Sequence, residues 1–505
     1  MRIHLNRWDP PAGHGIPATA TRQRGHGGFL AVLLLPLLTL LSGCTDPQRP
    51  AVGNIGHVQG FAGAVTADEP RAALVARDVL SAGGSAADAA VALAFTMTVT
   101  NPAAGGLGGG GVCVIHDHDA KRTEALEFYP GSQPPPPPGA TVRHPVAVPG
   151  LPRGLYALHA KYGRLRWESL LIPAEHLARF GDSVSRSLAY ELTTSGAVLK
   201  ADPQTRRIFQ RADGGPLAEG DAIVHLDLAG TLSRLRVHGP GDLYAGTTSR
   251  ELTAAVASVG GSMTREALRD YAPRWVPTLE VPFGNDSAHF APPPAAGDRA
   301  GLMWAMLTTD DLTQSQEAPE ARARLLTETE ALSTSLAGNG GEAALPWSDR
   351  IAPSRIRQVL SAPRPGPLPS REKKAAVPSV SGFAIADRDG SMVACQLTMN
   401  APFGTGILAP GTGMLLAAPL MERNGYGATP MLVVKRHVNE VVMAATTSGR
   451  GAATAPMLEI AVRTLLDRQF LPRAMAAPRP ADSRINAIAC IEGLPPFPGS
   501  SPNLF

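Results

Sequence analysis

The residues that could do chemistry lie at the start of a strand in the last third of the chain. Residues 377–387 read VPSVSGFAIAD, and this run predicts a strand whose first residues are where a nucleophile is expected. Val380 stands at that point and has no hydroxyl. Ser379 and Ser381 are one residue away, and alternation along a strand turns their side chains to the opposite face. Either serine would need a bulge to reach the site of Val380.

Other motifs with a recognised chemistry are incomplete. The residues SREK at 370–373 fit Ser-x-x-Lys, but neither Ser-Asp-Asn nor Lys-Thr-Gly follows, and the motif lies in a charged linker. The residues HDHD at 116–119 follow a strand without a third ligand nearby, which predicts a solvated turn and no metal site. No GxSxG, HExxH or CxxC occurs, and we expect no cofactor.

The glycine run GGLGGGG at 105–111 leads directly into an apolar strand. A phosphate-binding loop needs Lys and then Ser or Thr after its last glycine, and Val112 and Cys113 stand there instead. Close approach of neighbouring backbone is therefore the predicted reason for these glycines.

Residues 22–44, RQRGHGGFLAVLLLPLLTLLSGC, have the layout of an export signal. Basic residues precede a short apolar run, and Leu-Ser-Gly-Cys resembles a bacterial lipobox, in which Cys44 takes the lipid after cleavage. We therefore expect a leader at 1–43, a tether at 44–63 and a lipid-anchored location in the cell envelope, facing the periplasm or the exterior. The alternatives are an ordinary secretory signal and an anchor that stays uncut.

Composition bounds the class of protein. A chain of 505 residues that is 44% hydrophobic is long enough for one large or two ordinary globular domains. Removing residues 1–43 takes away four Arg and one Asp and leaves basic and acidic residues in equal number, which gives no support for a nucleic-acid partner. Without Cys44, the three remaining cysteines allow at most one disulfide.

The predicted elements fall into two regions with a break near residue 375. Helical periodicity covers 69–80, and Ser85 with Asp88 predicts the N-cap of a second helix rich in small residues. The chain then reads as a strand at 112–115, two helices within 146–181, further helices and polar loops at 190–345, a Pro-rich linker at 361–379, and a strand-rich part that opens with a hairpin turning at Asp389-Gly390. The predicted regions are 64–375 and 376–505.

Several segments in this order resemble the γ-glutamyltransferase (glutathione hydrolase) family of N-terminal-nucleophile hydrolases. They are LSAGGSAADAAVALAFTMTVTNPAAGGLGGGG, VAVPGLPRGLYALHAKYGRLRW, GFAIADRDGSMVACQLTMNAPFGTGILAPGTGMLL, TPMLVV and MAAPRP, and together they span about residues 64–480. The resemblance implies an α+β fold, a four-layer αββα sandwich. It also implies a precursor that is cut at the linker into a large and a small subunit.

The family's chemistry needs a threonine that opens the small subunit. Its hydroxyl first attacks the preceding peptide carbonyl and then, with the freed α-amine as base, the γ-glutamyl carbonyl. Aligning FAIADRDG with the family's segment after Thr-Thr-His places Val380 at the nucleophile, Ser381 at the second threonine and Gly382 at the histidine. Valine resembles threonine in shape but can perform neither reaction.

The resemblance also assigns Thr398 as a catalytic position and several other residues as substrate-binding positions. Thr398 and Asn400 match the family's threonine and asparagine, and Glu422 falls near the carboxylate that binds the substrate amino group. Tyr129 stands where the family has the arginine that binds the substrate carboxylate, and a phenol cannot make that bidentate contact. The remaining departures are Tyr426-Gly427 in place of a Ser-Ser pair and Arg450-Gly451 in place of the Gly-Gly oxyanion hole, of which Gly451 still offers its N–H.

These changes predict a member of this family that is catalytically deficient and remains uncut, with a small peptide or amino-acid-like ligand in the old cleft. Together with the lipobox that ends at Cys44, they predict an exported lipoprotein. The alternative is an active amide hydrolase or transferase in which Ser381 is the self-processing nucleophile. Chain cleavage separates the two hypotheses, because an active enzyme of this type must process itself.

Overall fold

The computed structural model describes residues 62–133, 142–309, 326–333, 336, 344–361, 379–420, 429–450, 454–477 and 483–489, with only the backbone for Arg450 and for 483–489. All of them belong to one compact unit, Val52–Phe505. Within these ranges, no helix has the length and apolar character required to cross a membrane.

The helices are numbered in chain order. They are α1 (Pro70–Ser81), α2 (Ala86–Thr100), α3 (Pro102–Gly105), α4 (Leu151–Tyr162), α5 (Trp167–Phe180), α6 (Arg186–Ser195), α7 (Pro203–Phe209), α8 (Leu226–His238), α9 (Gly241–Ala245), α10 (Thr247–Ser258), α11 (Arg265–Asp270), α12 (Gly297–Thr308), α13 (Trp347–Arg350), α14 (Pro353–Ser361), α15 (Thr454–Leu465) and α16 (Leu471–Met475).

The strands are numbered in the same way. They are β1 (Gly63–Ala67), β2 (Gly110–Asp117), β3 (Arg122–Phe128), β4 (His144–Pro145), β5 (Asp182–Ser183), β6 (Ala222–Ile223), β7 (Gly261–Ser262), β8 (Arg274–Pro277), β9 (Leu279–Phe283), β10 (Asp286–Phe290), β11 (Ser379–Asp387), β12 (Met392–Thr398), β13 (Leu408–Ala409), β14 (Met414–Leu415), β15 (Met431–Lys435), β16 (Glu440–Arg450) and β17 (Ser483–Ala489).

The main sheet has the order β8-β3-β2-β12-β11-β16-β15-β10-β9, and β1 and β17 pair with β11 and β16 beside this path. Its two halves are joined through β11 and β16 by two residue pairs, Ser379 with Arg450 and Val380 with Gly449. Beyond this joint, β11 pairs with β1 instead. The two halves can therefore diverge and lie face to face.

Three hydrophobic clusters show how the layers stack. The first packs α1, α2, α4 and α5 against one half of the sheet, and Phe383 and Ile385 of β11 belong to it. Another packs α12, α14 and α15 against the strands of the other half. Between them an inter-sheet cluster joins Ala384 and Ala386 of β11 to Leu432 of β15. The fold is thus the expected α+β sandwich of four layers, αββα.

The first two helices begin where their sequences predict. The Glu69 side chain accepts from the backbone N–H of Arg71 at the start of α1, and Ser85 and Asp88 form a reciprocal capping box at the start of α2. Every residue of α2 is buried, which accounts for its many small residues. The predicted hairpin is also present, with Gly390 at φ 91° between β11 and β12.

The glycine run lies against neighbouring backbone, as predicted. A Cβ at Gly108 would lie 2.1 Å from the carbonyl oxygen of Leu415, and one at Gly110 would lie 2.1 Å from that of Phe128. A Cβ at Gly111 would meet the Gln396 carbonyl oxygen at 2.2 Å. No other residue type fits these positions without moving the backbone.

Two sequence expectations need correction. His116 does not lie in a solvated turn, because β2 continues through it and buries it, and its ring nitrogens lie 2.9 Å from Thr123 Oγ1 and from the Asn439 carbonyl oxygen. The region 190–345 also contains strands, β8 to β10, which supply both edges of the main sheet. Their short runs are interrupted by prolines and give little signal of period two.

The predicted limit of one disulfide agrees with the cysteines that the structure describes. Cys113 on β2 and Cys395 on β12 face each other across the strand pair and are joined by a disulfide, with both side chains fully buried. The bond joins positions on either side of the predicted linker. Cys44 and Cys490 lie outside the described residues, as does the predicted boundary near 375.

Candidate active site

Val380 lies at the joint between the two halves of the sheet. It pairs with Thr398 on one side and Gly449 on the other, and it is 4% exposed. Ala384 and Ala386, at even-numbered positions like Val380, belong to the inter-sheet cluster. Alternation therefore turns Val380 toward the space between the sheets.

Ser381 faces the helix layer. β11 pairs with β12 in regular register from residue 380 to 386, so no bulge moves Ser381 to the other face. Its hydroxyl donates to Asp68 Oδ1 at 2.6 Å. Ser381 is 1% exposed and Ser379 is 2% exposed, so the structure places both hydroxyl-bearing neighbours of Val380 in buried surroundings.

Thr398 contacts the peptide bond that precedes Val380. Its Oγ1 donates to the carbonyl oxygen of Ser379 at 2.9 Å and accepts from the backbone N–H of Asn400 at 2.9 Å. The hydroxyl is thus used in fixing two stretches of backbone. It also polarises the carbonyl that a nucleophile at position 380 would attack.

Asn400 follows β12 in the left-handed region of backbone conformation, with φ 65°. Its Nδ2 donates to the Ala418 carbonyl oxygen at 2.7 Å. Its Oδ1 is buried and has no hydrogen-bond partner among the described residues. This oxygen is an acceptor that a ligand could satisfy.

Gly382 shows how the surroundings of Val380 are packed. Its N–H donates to Ser448 Oγ at 2.8 Å, at the point where β11 changes partner from β16 to β1. A Cβ at Gly382 would lie 2.4 Å from Thr446 Oγ1 and 2.7 Å from the Thr447 carbonyl oxygen. Residues of β16 therefore occupy the space that any larger side chain at 382 would need.

The family profile described as Gamma-glutamyltranspeptidase matches residues 72–492. The chain belongs to the gamma-glutamyltranspeptidase family. Glutathione hydrolase 3 of Arabidopsis thaliana is 29% identical over 399 residues, 74% of this chain and 62% of that protein. The chain thus matches less than two thirds of this relative's length. Glutathione hydrolase proenzyme of Bacillus subtilis (strain 168) is 30% identical over 412 residues, 72% of this chain and 68% of that protein.

The fold has close counterparts among solved structures. Cephalosporin acylase from Bacillus halodurans superimposes with a TM-score of 0.68 at 21% identity, and the match covers 86% of each chain. At this identity the likeness shows the fold alone. It agrees with the expected N-terminal-nucleophile hydrolase sandwich.

Tyr129, which the sequence resemblance predicts at the position of the gamma-glutamyltranspeptidase family's carboxylate-binding arginine, lies next to the end of β3. Its side chain is partly buried and packs against the inter-sheet cluster, the layer that Val380 faces. The Tyr271 hydroxyl donates to its carbonyl oxygen at 2.9 Å. Tyr129, Val380, Thr398 and Asn400 thus lie at the same end of the strands, and their assigned roles stay predictions.

Other predicted site residues cannot be placed. Glu422, Tyr426-Gly427 and Gly451 lie outside the described residues, and Arg450 is described by its backbone alone. The contacts of Gly382 with Thr446 and Ser448 were missed by sequence reasoning, because they depend on the register between β11 and β16. A signal was present in TTSG at 446–449, a row of hydroxyls in an otherwise apolar strand.

Two further features of the described residues bear on ligand binding. No cluster of His, Cys, Asp and Glu within the described ranges could hold a metal ion. A cavity of about 310 Å³ lies at the opposite end of the same strands, where it is lined by His116, Asp387 and Arg164 among others. It is separate from the end that carries Val380.

Proposed function

We propose that this chain is a catalytically deficient member of the gamma-glutamyltranspeptidase family that stays uncut and binds a small peptide or amino-acid-like ligand beside Val380. The observation that carries the proposal is the position of Val380, which faces the inter-sheet space without a hydroxyl while Ser381 faces the helix layer. Both reactions of the family require a heteroatom on the side chain at this position.

The neighbouring hydroxyls are poor replacements. Ser381 donates to Asp68 from the wrong face of β11, and the regular pairing of that strand offers no bulge to turn it. The Thr398 hydroxyl already contacts the Ser379 carbonyl and the Asn400 N–H. These contacts weigh against the alternative in which Ser381 processes the chain.

The loss extends beyond one side chain. Gly382 replaces the histidine of the family's motif, and a Cβ at this position would lie 2.4 Å from Thr446 Oγ1 and 2.7 Å from the Thr447 carbonyl oxygen. Tyr129 replaces the arginine that would bind a carboxylate. Because Gly382 is a separate position on β11 and Tyr129 follows β3, restoring a hydroxyl at Val380 would leave the rest of the site altered.

Ligand binding is supported by what the site retains. The buried Oδ1 of Asn400 lacks a hydrogen-bond partner among the described residues, and an amine or amide N–H of a ligand would satisfy it. The Tyr129 ring offers a partly buried apolar surface in the same layer. A peptide or amino-acid-like ligand supplies both kinds of group.

Export as a lipoprotein is part of the proposal. Cys44 ends a sequence that resembles a lipobox, and the buried Cys113–Cys395 disulfide is of a kind that persists in oxidising compartments such as the bacterial periplasm. We place the protein in the cell envelope, held by the lipid on Cys44.

The test of deficiency is the intact mass of the mature region, expressed from about Gly53 and exported to the periplasm. We expect one uncut chain and no release of glutamate from glutathione. The sample must be reduced and denatured, since the Cys113–Cys395 bond would hold two fragments together. Glutathione hydrolase proenzyme of Bacillus subtilis, prepared in the same way, serves as the positive control.

Two fragments, the smaller beginning at Ser379 or Ser381, would overturn the proposal and establish a serine nucleophile. Turnover of glutathione by an uncut chain would contradict it as well. For the anchor, Cys44→Ala in the full-length chain should abolish incorporation of labelled palmitate. Equal labelling of the variant and the unchanged chain would refute lipidation at Cys44.

A further inference from the structure

Arg274 lies on the same face of the sheet as Tyr129, the residue that stands where the resemblance predicts an arginine. Arg274, the first residue of β8, pairs directly with Glu127 of β3. Val276, two residues further along β8, packs against the inter-sheet cluster, as does Tyr129. Alternation therefore places Arg274, Glu127 and Tyr129 on the same face of the sheet, the face that Val380 shares.

The contact between Arg274 and Glu127 leaves much of the guanidinium available. Arg274 Nη2 lies 2.6 Å from Glu127 Oε2, while the Arg274 side chain is 67% exposed and that of Glu127 is 4% exposed. A guanidinium has five N–H donors in a planar fork, and this contact uses one of its nitrogens. The buried carboxylate thus holds the arginine in place while most of the arginine side chain stays exposed.

The register of the sheet relates this arginine to the site. Gly382, Gln396, Val112, Glu127 and Arg274 form one continuous row across five strands. With neighbouring strands about 4.8 Å apart, β3 lies roughly 14 Å from β11. The Arg274 side chain extends from β8 back toward β3, where it contacts Glu127. Its guanidinium therefore lies roughly 14 Å from β11, on the row of residues adjacent to the row that contains Val380.

We propose that Arg274 is the carboxylate-binding residue of this cleft, in place of the arginine that position 129 has lost, and that it selects a short peptide with a free C-terminal carboxylate. This rests on the proposed binding function. Allowing for side-chain lengths, a ligand that reaches from Val380 to Arg274 spans roughly 10 Å, the length of an extended tripeptide. A single γ-glutamyl residue is too short to contact both.

Isothermal titration with the tripeptide Ala-Ala-Ala and with its C-terminal amide tests the assignment. We expect the unchanged protein to bind the acid at least about tenfold more tightly than the amide, and Arg274→Gln to bind the two equally. The matched control is Arg186→Gln, which breaks an arginine–glutamate pair elsewhere, with the exposed Glu219, and should change neither affinity.

Equal binding of acid and amide by the unchanged protein, or binding of neither, would overturn the assignment. So would an Arg274→Gln variant that keeps the preference for the acid. Mass spectrometry of the titrated solution separates this question from the proposed function. Cleaved tripeptide would refute catalytic deficiency while leaving the role of Arg274 to the affinities.

Discussion

Two regions of this molecule depend on different kinds of contact. The scaffold around α1, α2 and the glycine run keeps segments that resemble the family's motifs, whereas in our proposal the joint between β11 and β16, which carries Val380, has lost several functional side chains. The scaffold depends on backbone contacts that only glycine permits, as at Gly110. The joint depends on the chemistry of its side chains. Residues of similar shape can replace these side chains without disturbing the fold.

The largest effect should come from adding one methyl group to the scaffold. Gly110→Ala places a Cβ about 2 Å from the Phe128 carbonyl oxygen, so the backbone must move, and we expect a loss of about 4 kcal/mol or more in the free energy of unfolding. The measurement is the urea unfolding midpoint. Gly230→Ala is the control, since Gly230 lies within α8 with open space around it, and it should stabilise by about 0.5–1 kcal/mol. Equal midpoints for the two variants would show that the fold does not require glycine at position 110.

The disulfide between Cys113 and Cys395, which joins positions on either side of the predicted linker, should rank next. Replacing both Cys113 and Cys395 by alanine removes a cross-link between residues separated by 282 positions and should destabilise by about 2–5 kcal/mol, measured by urea unfolding. The unchanged protein, nicked by a protease in the linker, should migrate as one species without reductant and as two with it. The double variant should give two fragments under both conditions. A nicked unchanged chain that separates without reductant would contradict the cross-link.

Glu69, at the start of α1, tests whether the scaffold also contains a residue that destabilises the folded state. Burial raises the pKa of Glu69 from 4.5 to about 7, against the opposing effect of the Ser185 hydroxyl bond. The folded state therefore binds a proton more tightly than the unfolded state. The free energy of unfolding should therefore fall as the pH rises from about 4.5 to about 7, and Glu69 should cause no further loss above pH 7.

Glu69→Gln should remove this cost. At pH 8 we expect it to stabilise by about 3 kcal/mol, the equivalent of the pKa difference, and at pH 4.5 by little. Unfolding midpoints across this pH range provide the measurement. An unchanged slope in Glu69→Gln would show that another group is responsible, and Glu175→Gln, at a more exposed ion pair, is a suitable control.

How far the sequence predicts the structure depends on whether an interaction is local. The capping box of Ser85 and Asp88 and the turn at Gly390 are set by residues a few positions apart, and both were predicted. The contact of Gly382 with Thr446 joins residues more than sixty positions apart and depends on strand register. His116 was misjudged for the same reason, because its partner Asn439 comes from a distant turn.

For the site itself, the sequence predicts that Val380 stands at the position of the nucleophile, and this stays a prediction. The direction in which the neighbouring side chains point depends on the pairing of the sheet. Alternation predicted that Ser381 would face away from Val380, and its regular pairing with Leu397 agrees with this. Asp68 as its partner was not foreseen, since nothing in the local sequence links residue 68 to residue 381. Arg274 was missed because β8 was not predicted, and its side chain reaches this face only through that strand.

The smallest change in stability, and the sharpest test of the joint, is Val380→Thr. The new hydroxyl would be buried, and we expect a loss of about 1 kcal/mol. Because Thr398 Oγ1 already contacts the Ser379 carbonyl, the variant should cut itself slowly between Ser379 and residue 380. It should still fail to hydrolyse a γ-glutamyl anilide, since Tyr129 offers no cation for the α-carboxylate and Gly382 remains closed to a larger side chain.

Reduced gels and an anilide assay measure the two reactions separately, with Val380→Ala as the uncut control. Restored hydrolysis would show that the joint lost one atom and kept the rest of its chemistry, whereas an uncut variant would show that the Ser379 carbonyl is not held in reach of residue 380.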